Sequence, residues 1–316
     1  LSNLLSIVGK LAIDNNIRLS FHPGPFNVLG SPNLINVTKT TKELNQHAEI
    51  MDLMGLPQTR EYPINIHCNG TYGNKDETLK RWSDNYLKLS DGIIIPTGSV
   101  EQHGPIGLIG TDTLCANDIS IEAADKINAL VAPALAYAPA EFNMAFPGTV
   151  SISSSVYQDF CIEVFQSLER HGFRHIYVMN GHGANLEPLK EATNNLKNTS
   201  VRLKSWWDFK SVADLRNKFY GSWEGMHATP SEVAITQTKH RILESNMAQE
   251  RPEKLSQEFI KFHAGDKHGP AIEHRAQFPD GRVGSHSLLA TAEQGRQIKQ
   301  AAVKELCLDY KTFLNS

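Results

Sequence analysis

The chain has 316 residues, a formal net charge of −3 and a charged-residue content of 21%. This length can bury a large core and hold more than one structural unit, while the slightly acidic charge gives no reason to expect a nucleic-acid partner. No apolar run reaches the roughly 18 residues of a membrane-spanning helix, so we expect no membrane partner.

The cysteines show none of the paired spacings of a disulfide framework or of a cysteine metal centre. They are Cys68, Cys115, Cys161 and Cys307. We therefore expect free thiols and a soluble protein of the reducing cytoplasm. Because residue 1 is leucine rather than methionine, we also expect a trimmed chain or an internal fragment of a longer protein.

The first ninety residues predict strands and helices in alternation. The segments that begin at Ile17 and Ile64 are typical of strands. The apolar residues between them predict one face of a helix. This face comprises Leu44, Ile50, Met51, Leu53 and Met54. Residues 75–89 predict the next helix.

The segment after the apolar strand 93–95 has the composition of a metal site. It carries Glu101, His103 and Asp112 among glycines. In an extended chain Glu101 and His103 point to the same side, and Asp112 can fold back over them. Carboxylates about 4 Å apart repel by roughly 4 kcal/mol at an effective dielectric near 20, so the cluster calls for cations. The alternative is a polar loop with a helix cap at Asp112 or Thr113.

Two later segments carry the same residue types. Residues 174–179 predict a buried strand that leads into His182, and ligands of open α/β sheets bind at the carboxyl ends of strands. Further on, His227 precedes Glu232. Singly, His182 is also compatible with a turn, and Glu232 with a first-turn acid favoured by the helix dipole. The combined set suits zinc, manganese or iron(II). It consists of Glu101, His103, Asp112, His182 and Glu232.

A helix is predicted before the His182 strand, and another strand after it. The helix ends near Gly172 and has an apolar face. This face comprises Val156, Phe160, Val164, Phe165 and Leu168. Residues 201–206 predict the next strand. Strands that alternate with helices in this way imply a parallel sheet, and therefore an α/β fold.

Two more helices are predicted towards the carboxyl terminus. Thr229 or Ser231 can cap the helix that contains Glu232. The last helix starts with a capping box at residues 291–294 and is long and amphipathic. Its apolar face comprises Ile298, Ala302, Leu306, Tyr310 and Phe313.

Read together, the metal-site motifs resemble those of the creatininase family. They are Gly-Ser-Val-Glu-Gln-His-Gly-Pro at 98–105, Gly-Thr-Asp-Thr at 110–113, Asn-Gly-His-Gly-Ala-Asn at 180–185 and His-Ala-Thr-Pro-Ser-Glu at 227–232, with further matches at 279–284 and 290–295. The resemblance implies a three-layer α/β/α subunit with a mainly parallel sheet. It also implies two divalent metal ions, a homo-oligomer that is often a hexamer, and hydrolysis of a non-peptide amide such as creatinine or a formamide.

The resemblance further implies roles for individual residues. Asp112 would bridge the two metals, Glu101 and His182 would hold one of them, and His103 would hold the other. In creatinine-opening members a glutamate at the position of Ala184 also binds the second metal. Because this chain has alanine there, we expect a substrate other than creatinine.

Other relatives complete the second metal site from a glutamate five residues after a later histidine. Glu232 stands at this spacing from His227, so Glu232 is the expected ligand. The family uses the histidine to contact substrate and transfer a proton; the alternative for His227 is a buried structural histidine. The metals would supply hydroxide at neutral pH, and His227 would protonate the departing nitrogen. Ser99 is expected to be a turn or supporting hydroxyl.

The first ninety residues resemble part of the ultraviolet-damage endonuclease family, a TIM barrel with a metal cluster. His22 and His67 match metal ligands of that family. The rest of its ligands, and most of its eight strands, have no counterpart before residue 91, and Pro25 replaces a glutamine that probes the damaged pair. We therefore expect a partial (β/α) barrel-like segment at 1–90 that cannot assemble the nuclease site.

The expected organisation is thus a truncated segment at 1–90 and a catalytic domain at 91–316. The boundary is predicted within residues 89–92, although the helix 75–89 can also pack on the catalytic domain. The expected partner is a small amide, and Trp206, Trp207 and Trp223 could line its pocket, although aromatic residues more often form core. Two alternatives are a metal-binding member of the fold without turnover, and a fusion that retains endonuclease activity.

Overall fold

The computed structural model describes residues 2–57, 59, 61–68, 70–87, 92–127, 129–243 and 245–314. Contacts divide the chain into two compact units, residues 1–91 and 92–316. Three residues of the predicted boundary, 89–91, lie outside the described residues, and the boundary remains a prediction.

Among its described residues, the first unit contains three helices: α1 (Ser2–Asp14), α2 (Leu34–Leu53) and α3 (Lys75–Leu87). α2 begins after Asn33, whose side chain accepts a hydrogen bond from the backbone N–H of Ile35 and so caps the helix. The α2 and α3 helices agree with the sequence prediction, whereas α1 was not predicted. In the part of this unit that the structure describes, the two predicted strands form a single parallel bridge between Phe21 and Ile64.

The small core of the first unit agrees only in part with the predicted helix face. Leu44 and Met51 of α2 are buried, and Met51 packs with Ala12 and Leu56. Leu53 is 38% exposed. The prediction for Leu53 was wrong because a residue two positions from Met51 points to the opposite side of the helix.

The second unit is built on a parallel sheet of four strands. The strands are β1 (Gly92–Thr97), β2 (Leu130–Val131), β3 (His175–Asn180) and β4 (Ser200–Ser205). They lie in the order β2-β1-β3-β4, and each pairs with its neighbours in parallel. The predicted strands at 93–95, 174–179 and 201–206 and their parallel arrangement are confirmed.

Helices cover both faces of this sheet. The described helices of this unit are α4 (Thr111–Ile127), α5 (Ser154–Arg170), α6 (Leu186–Thr193), α7 (Lys210–Phe219), α8 (Pro230–Thr236), α9 (Gln257–Phe262), α10 (Ala271–Gln277) and α11 (Ala292–Leu314). All except α9 and α10 contribute residues to the two cores that flank the sheet. Side chains alternate along a strand, so β1 contributes to a core on each face. Ile94 points into a core formed with α4, α7 and α11. Ile93 and Ile95 point into a second core, formed with α5 and α6. The three-layer α/β/α architecture follows.

The predicted face of α11 is confirmed, and that of α5 needs correction. All five predicted positions of α11 are buried in one core. In α5 the fully buried residues are Tyr157, Cys161 and Phe165, whereas Val156 and Phe160 are 56% and 46% exposed. The buried stripe is displaced by one residue because Tyr157, Cys161 and Phe165, which recur every four residues, pack in the core on this face of the sheet.

Two expectations about the whole chain can be compared with the structure. The cysteines are free, two of them buried, one intermediate and one exposed. None of the described helices combines the length and the apolar character needed to cross a lipid bilayer.

Candidate metal centre

The loops that follow β1 and β3 bring the predicted ligands to one edge of the sheet. Parallel neighbours end at the same edge, and the ends of these two strands are joined by a hydrogen bond from Thr97 Oγ1 to Asn180 Oδ1 of 3.0 Å. Glu101 and His103 lie in the loop after β1, and His182 lies in the loop after β3. All three side chains are buried.

Asp112 reaches this edge from the first turn of α4. The helix lies so close to the loop after β3 that a methyl group at Gly181 would overlap the backbone carbonyl of Asp112, which explains the glycine there. Ser99 Oγ donates a hydrogen bond of 2.9 Å to Asp112 Oδ2. Ser99 is therefore a supporting hydroxyl, as expected.

The Asp112 carboxylate lies between two imidazoles and presents one oxygen to each. Its Oδ1 is 2.8 Å from His103 Nε2, and its Oδ2 is 2.9 Å from His182 Nδ1. Asp112 thus folds back over the Glu101–His103 loop, as the sequence predicted. A carboxylate with this disposition can serve two cations at once.

His182 and Glu101 direct acceptor atoms towards the same point. His182 Nε2 donates to the carbonyl of Pro139 at 2.7 Å, so its Nδ1 is the nitrogen available to a metal. Glu101 Oε2 accepts a hydrogen bond of 2.9 Å from Asn143. Glu101 Oε1, which is 3.2 Å from His182 Nδ1, is buried and has no hydrogen-bond partner among the described residues. A divalent cation would satisfy this oxygen, and the donor set therefore fits a metal.

Glu232 makes two kinds of contact in the structure. Its Oε2 accepts a hydrogen bond of 2.9 Å from the backbone N–H of Thr229, whose hydroxyl in turn caps α8. Thr229 rather than Ser231 is therefore the cap. Glu232 also approaches His103 and Asp112. The capping and metal-ligand interpretations of Glu232 are compatible, because capping uses one of its two oxygens.

In the part of the chain that the structure describes, three groups of side chains offer ligand atoms that all lie within 4.8 Å of one another. Two groups share Asp112, and the third contains the predicted proton-transfer histidine. They are Glu101–Asp112–His182, His103–Asp112–Glu232 and Glu101–His103–His227. The first two correspond to the two metal sites implied by the sequence.

His227 lies beside the ligands with one nitrogen free. Its Nε2 donates to the carbonyl of Gln102 at 2.7 Å, and its Nδ1 is 3.6 Å from Glu101 Oε1. Burial lowers the pKa of His227 to about 4, against the opposing effect of Glu101. The imidazole is therefore neutral at pH 7, and Nδ1 can accept a proton or bind a metal.

Three further candidate ligands, His103, Asp112 and Glu232, have strongly shifted pKa values. Burial alone would lower the pKa of His103, but the Asp112 carboxylate outweighs it and raises this pKa to about 10. Burial alone would raise the pKa of Asp112, yet His103 and His182 hold it well below its usual value. Burial and the nearby Asp112 raise the pKa of Glu232 to about 7. Protons on the imidazoles therefore balance the negative charge of the carboxylates when no metal ion is bound.

Sequence reasoning missed Asp266, in the loop between α9 and α10. Its Oδ2 is 3.7 Å from His182 Nδ1 and accepts a hydrogen bond of 3.1 Å from the backbone N–H of Ala184. The Asp266 carboxylate therefore lies beside Ala184, the position at which the family resemblance implies a glutamate in creatinine-opening members. The signal was an aspartate flanked by glycine and histidines, His263 to His268, in a loop, where functional residues are common.

A cavity of about 330 Å³ opens onto the candidate ligands. His182, His227, Glu232 and Asp266 line it together with Trp207. Two other tryptophans were expected to line the pocket. Of these, Trp206 is 1% exposed and belongs to the core, and Trp223 makes a cation–π contact with Lys254. Of the three candidates, Trp207 is therefore the one that lines this cavity.

The two histidines of the first unit lie next to each other. The ring centroids of His22 and His67 are 4.6 Å apart. Among the described residues, they belong to no group of three potential metal ligands.

Comparison with known proteins identifies two matched regions. The family model described as creatinine amidohydrolase matches residues 78–308, and the model described as UV-endonuclease matches residues 1–95. The chain is similar to a putative UV-damage endonuclease of Acanthamoeba polyphaga mimivirus, with 37% identity over 91 residues, 29% of this chain and 28% of the relative. A Bacillus cereus UV DNA damage endonuclease is 34% identical over 82 residues, 26% of this chain and 25% of the relative. The chain thus spans about a quarter of the length of these relatives.

Solved structures resemble about three quarters of this chain in fold. A creatinine amidohydrolase superposes with a TM-score of 0.63 and 20% identity, over 74% of this chain and 95% of the other. A putative creatinine amidohydrolase from Bacteroides fragilis gives a TM-score of 0.59 and 19% identity, over 72% and 90%. Since the family model covers most of the sequence, the chain belongs to the creatininase family.

Proposed function

We propose that this chain is an amidohydrolase that uses two divalent metal ions to hydrolyse a small cyclic amide or a formamide. The family and the candidate ligand groups support a metal-dependent amidohydrolase. One observation carries the finer proposal, which is that Asp112 presents one oxygen to His103 and the other to His182. Zinc, manganese or iron would suit these ligands, and related solved structures include a manganese form and a zinc–zinc form of creatininase.

Each residue would have a distinct role. Glu101, His182 and Asp112 would hold one ion, while His103, Glu232 and Asp112 would hold the other. When bound, such ions polarise an amide carbonyl and lower the pKa of water from about 15.7 towards 7.

His227 is suited to move the proton. Its neutral Nδ1 faces the ligands, while Nε2 remains fixed on the Gln102 carbonyl. The ring can therefore accept a proton from the attacking water and pass it to the departing nitrogen. Asn143 holds Glu101 through a 2.9 Å hydrogen bond and so positions a ligand without taking part in proton transfer.

Creatinine itself is not the substrate we favour. Ala184 offers no carboxylate, and its backbone N–H is bonded to Asp266. The pocket next to the ligands is thus built differently from the one that the family resemblance implies for creatinine-opening members.

The context of the enzyme is also part of the proposal. Free cysteines favour a reducing, cytoplasmic compartment. A homo-oligomer, up to a hexamer, would be able to cover the exposed apolar side chains of Val156 and Phe160. We do not propose nuclease activity for residues 1–90, because His22 and His67 belong to no larger ligand group among the described residues.

A panel of hydrolysis assays tests the proposal. The purified chain, loaded separately with manganese and with zinc, is incubated with lactams, creatinine and formamides, and released amine or acid is quantified. We expect metal-dependent hydrolysis of a lactam or formamide that is lost in Asp112→Asn. A protein with both ions bound that hydrolyses no member of the panel would instead favour the interpretation as a metal-binding member without turnover.

A further inference from the structure

We propose that Asp266 is a specificity-determining residue that selects amides bearing a positively charged nitrogen close to the scissile bond. The inference rests on the proposed amidohydrolase function and names its substrate class. Asp266 lines the same cavity as His182, His227 and Glu232. A ligand that reaches the candidate metal ligands therefore also reaches this carboxylate.

Two features fix the position of the Asp266 carboxylate: the backbone conformation of its loop, and its contacts with Gly183 and Ala184. Gly265 and Asp266 both have left-handed backbone conformations, with φ of +76° and +57°, which turn the side chain back towards the sheet. The carboxylate then lies directly over Gly183, where a methyl group would overlap it, and accepts the N–H of Ala184 at 3.1 Å. A non-glycine residue adopts this backbone conformation only where its surroundings fix it.

Asp266 is available to a ligand rather than committed to a metal. It belongs to none of the three groups of potential metal ligands among the described residues. Its Oδ1 lies 3.9 Å from His268 Nε2, beyond hydrogen-bond distance. This oxygen can therefore accept a hydrogen bond from a substrate.

The charge of the site leaves Asp266 uncompensated. If the two proposed divalent cations are bound, their four positive charges would be balanced by the carboxylates of Glu101, Asp112 and Glu232 and by one hydroxide nucleophile. Asp266 adds a further negative charge at the cavity wall. Arg216 also lines the cavity, but its Nε is paired with Glu224 Oε1 at 2.8 Å, so its charge is already balanced.

An ammonium or guanidinium group on the substrate would restore neutrality. Hydrogen bonds between a charged donor and a carboxylate are roughly twice as strong as neutral ones, and they are stronger in a site partly shielded from water. An anionic substituent at the same place would be repelled. The cavity therefore favours a cationic amide over a neutral one of equal shape.

Matched ligands test this selection in the metal-loaded protein. Calorimetry at pH 7 compares glycinamide, which carries an ammonium group, with propionamide, its neutral analogue of the same length. We expect glycinamide to bind at least about tenfold more tightly than propionamide. For an amide that is hydrolysed, loss of the carboxylate should raise KM more than it changes kcat.

Two variants and a control connect the preference to Asp266. Asp266→Asn removes the charge, and Gly183→Ala displaces the carboxylate by steric overlap; both should reduce the preference for glycinamide to about twofold or less. Asp214→Asn removes the same charge from an exposed residue paired with Lys210 on α7, and should leave the preference intact. Metal content should be unchanged in all three variants.

Equal affinity of the wild-type protein for glycinamide and propionamide, or no measurable binding of glycinamide, would overturn the inference. So would a preference that survives Asp266→Asn. Loss of a metal ion in that variant would make Asp266 a ligand instead, and would equally overturn it. Because these readouts are binding and metal content, they remain decisive even if the protein hydrolyses no amide and the proposed function fails.

Discussion

Replacing Asp112 with asparagine should remove both metal ions, whereas replacing Glu232 should mostly remove one. Asp112 Oδ1 and Oδ2 lie 2.8 Å and 2.9 Å from His103 Nε2 and His182 Nδ1, so each candidate site loses an anionic ligand at the same time. Two unit charges about 4 Å apart attract each other by roughly 4 kcal/mol at an effective dielectric near 20, and a divalent ion is attracted more strongly. The affinity for each ion should therefore fall by at least about three orders of magnitude.

The assay is the metal content of each variant after loading with manganese or zinc, measured by mass spectrometry and paired with thermal unfolding. Asp118→Asn is a matched control, because Asp118 lies on the same helix, is also buried, and pairs with Lys239 and His240 away from the site. The control should keep both ions. An Asp112→Asn protein that is folded and still binds one ion at wild-type affinity would refute the bridging role.

Three further predictions address the proton, the pH dependence and the N-terminal segment. His227→Ala should keep both metals and lower turnover by about a hundredfold or more; loss of metal would place His227 in the coordination shell. Because Asp112 raises the pKa of His103 to about 10, a proton competes with the metal for this imidazole below that pH. Metal affinity, measured by competition with a chelator, should therefore rise from pH 6 to pH 8. An affinity that does not change with pH would contradict this competition. A chain that starts at Lys75 should retain metal binding, and the full chain should not nick ultraviolet-irradiated DNA with manganese present; nicking that requires His67 would reveal a second activity.

The elements that could be predicted from the sequence are those with strong local signals. The five apolar positions of α11 recur at helical spacing and all pack into one core. The apolar strand β3 was recognised because it is buried on both faces. Predictions were less accurate where two neighbouring stripes of a helix both carry apolar residues, as in α5, where Phe160 is exposed and Cys161 is buried. They were also less accurate where the described residues of a predicted strand form only one bridge, as at Phe21.

The candidate site was predictable to the extent that its residues lie close to strand ends and helix starts. Glu101, His103 and Asp112 are close together in sequence, and the parallel sheet brings His182 beside them. Asp266 could not be predicted in this way, because its position depends on a left-handed turn and on contact with Gly183, 83 residues earlier in the sequence. Long-range contacts between loops leave little periodic trace in a sequence.

The most direct test of the two-metal proposal is anomalous diffraction from crystals of the manganese-loaded protein. We predict two peaks about 3.5–4 Å apart, one beside His182 and Glu101, the other beside His103 and Glu232, with Asp112 contacting both. A single peak at full occupancy, or two peaks without Asp112 between them, would contradict the proposal.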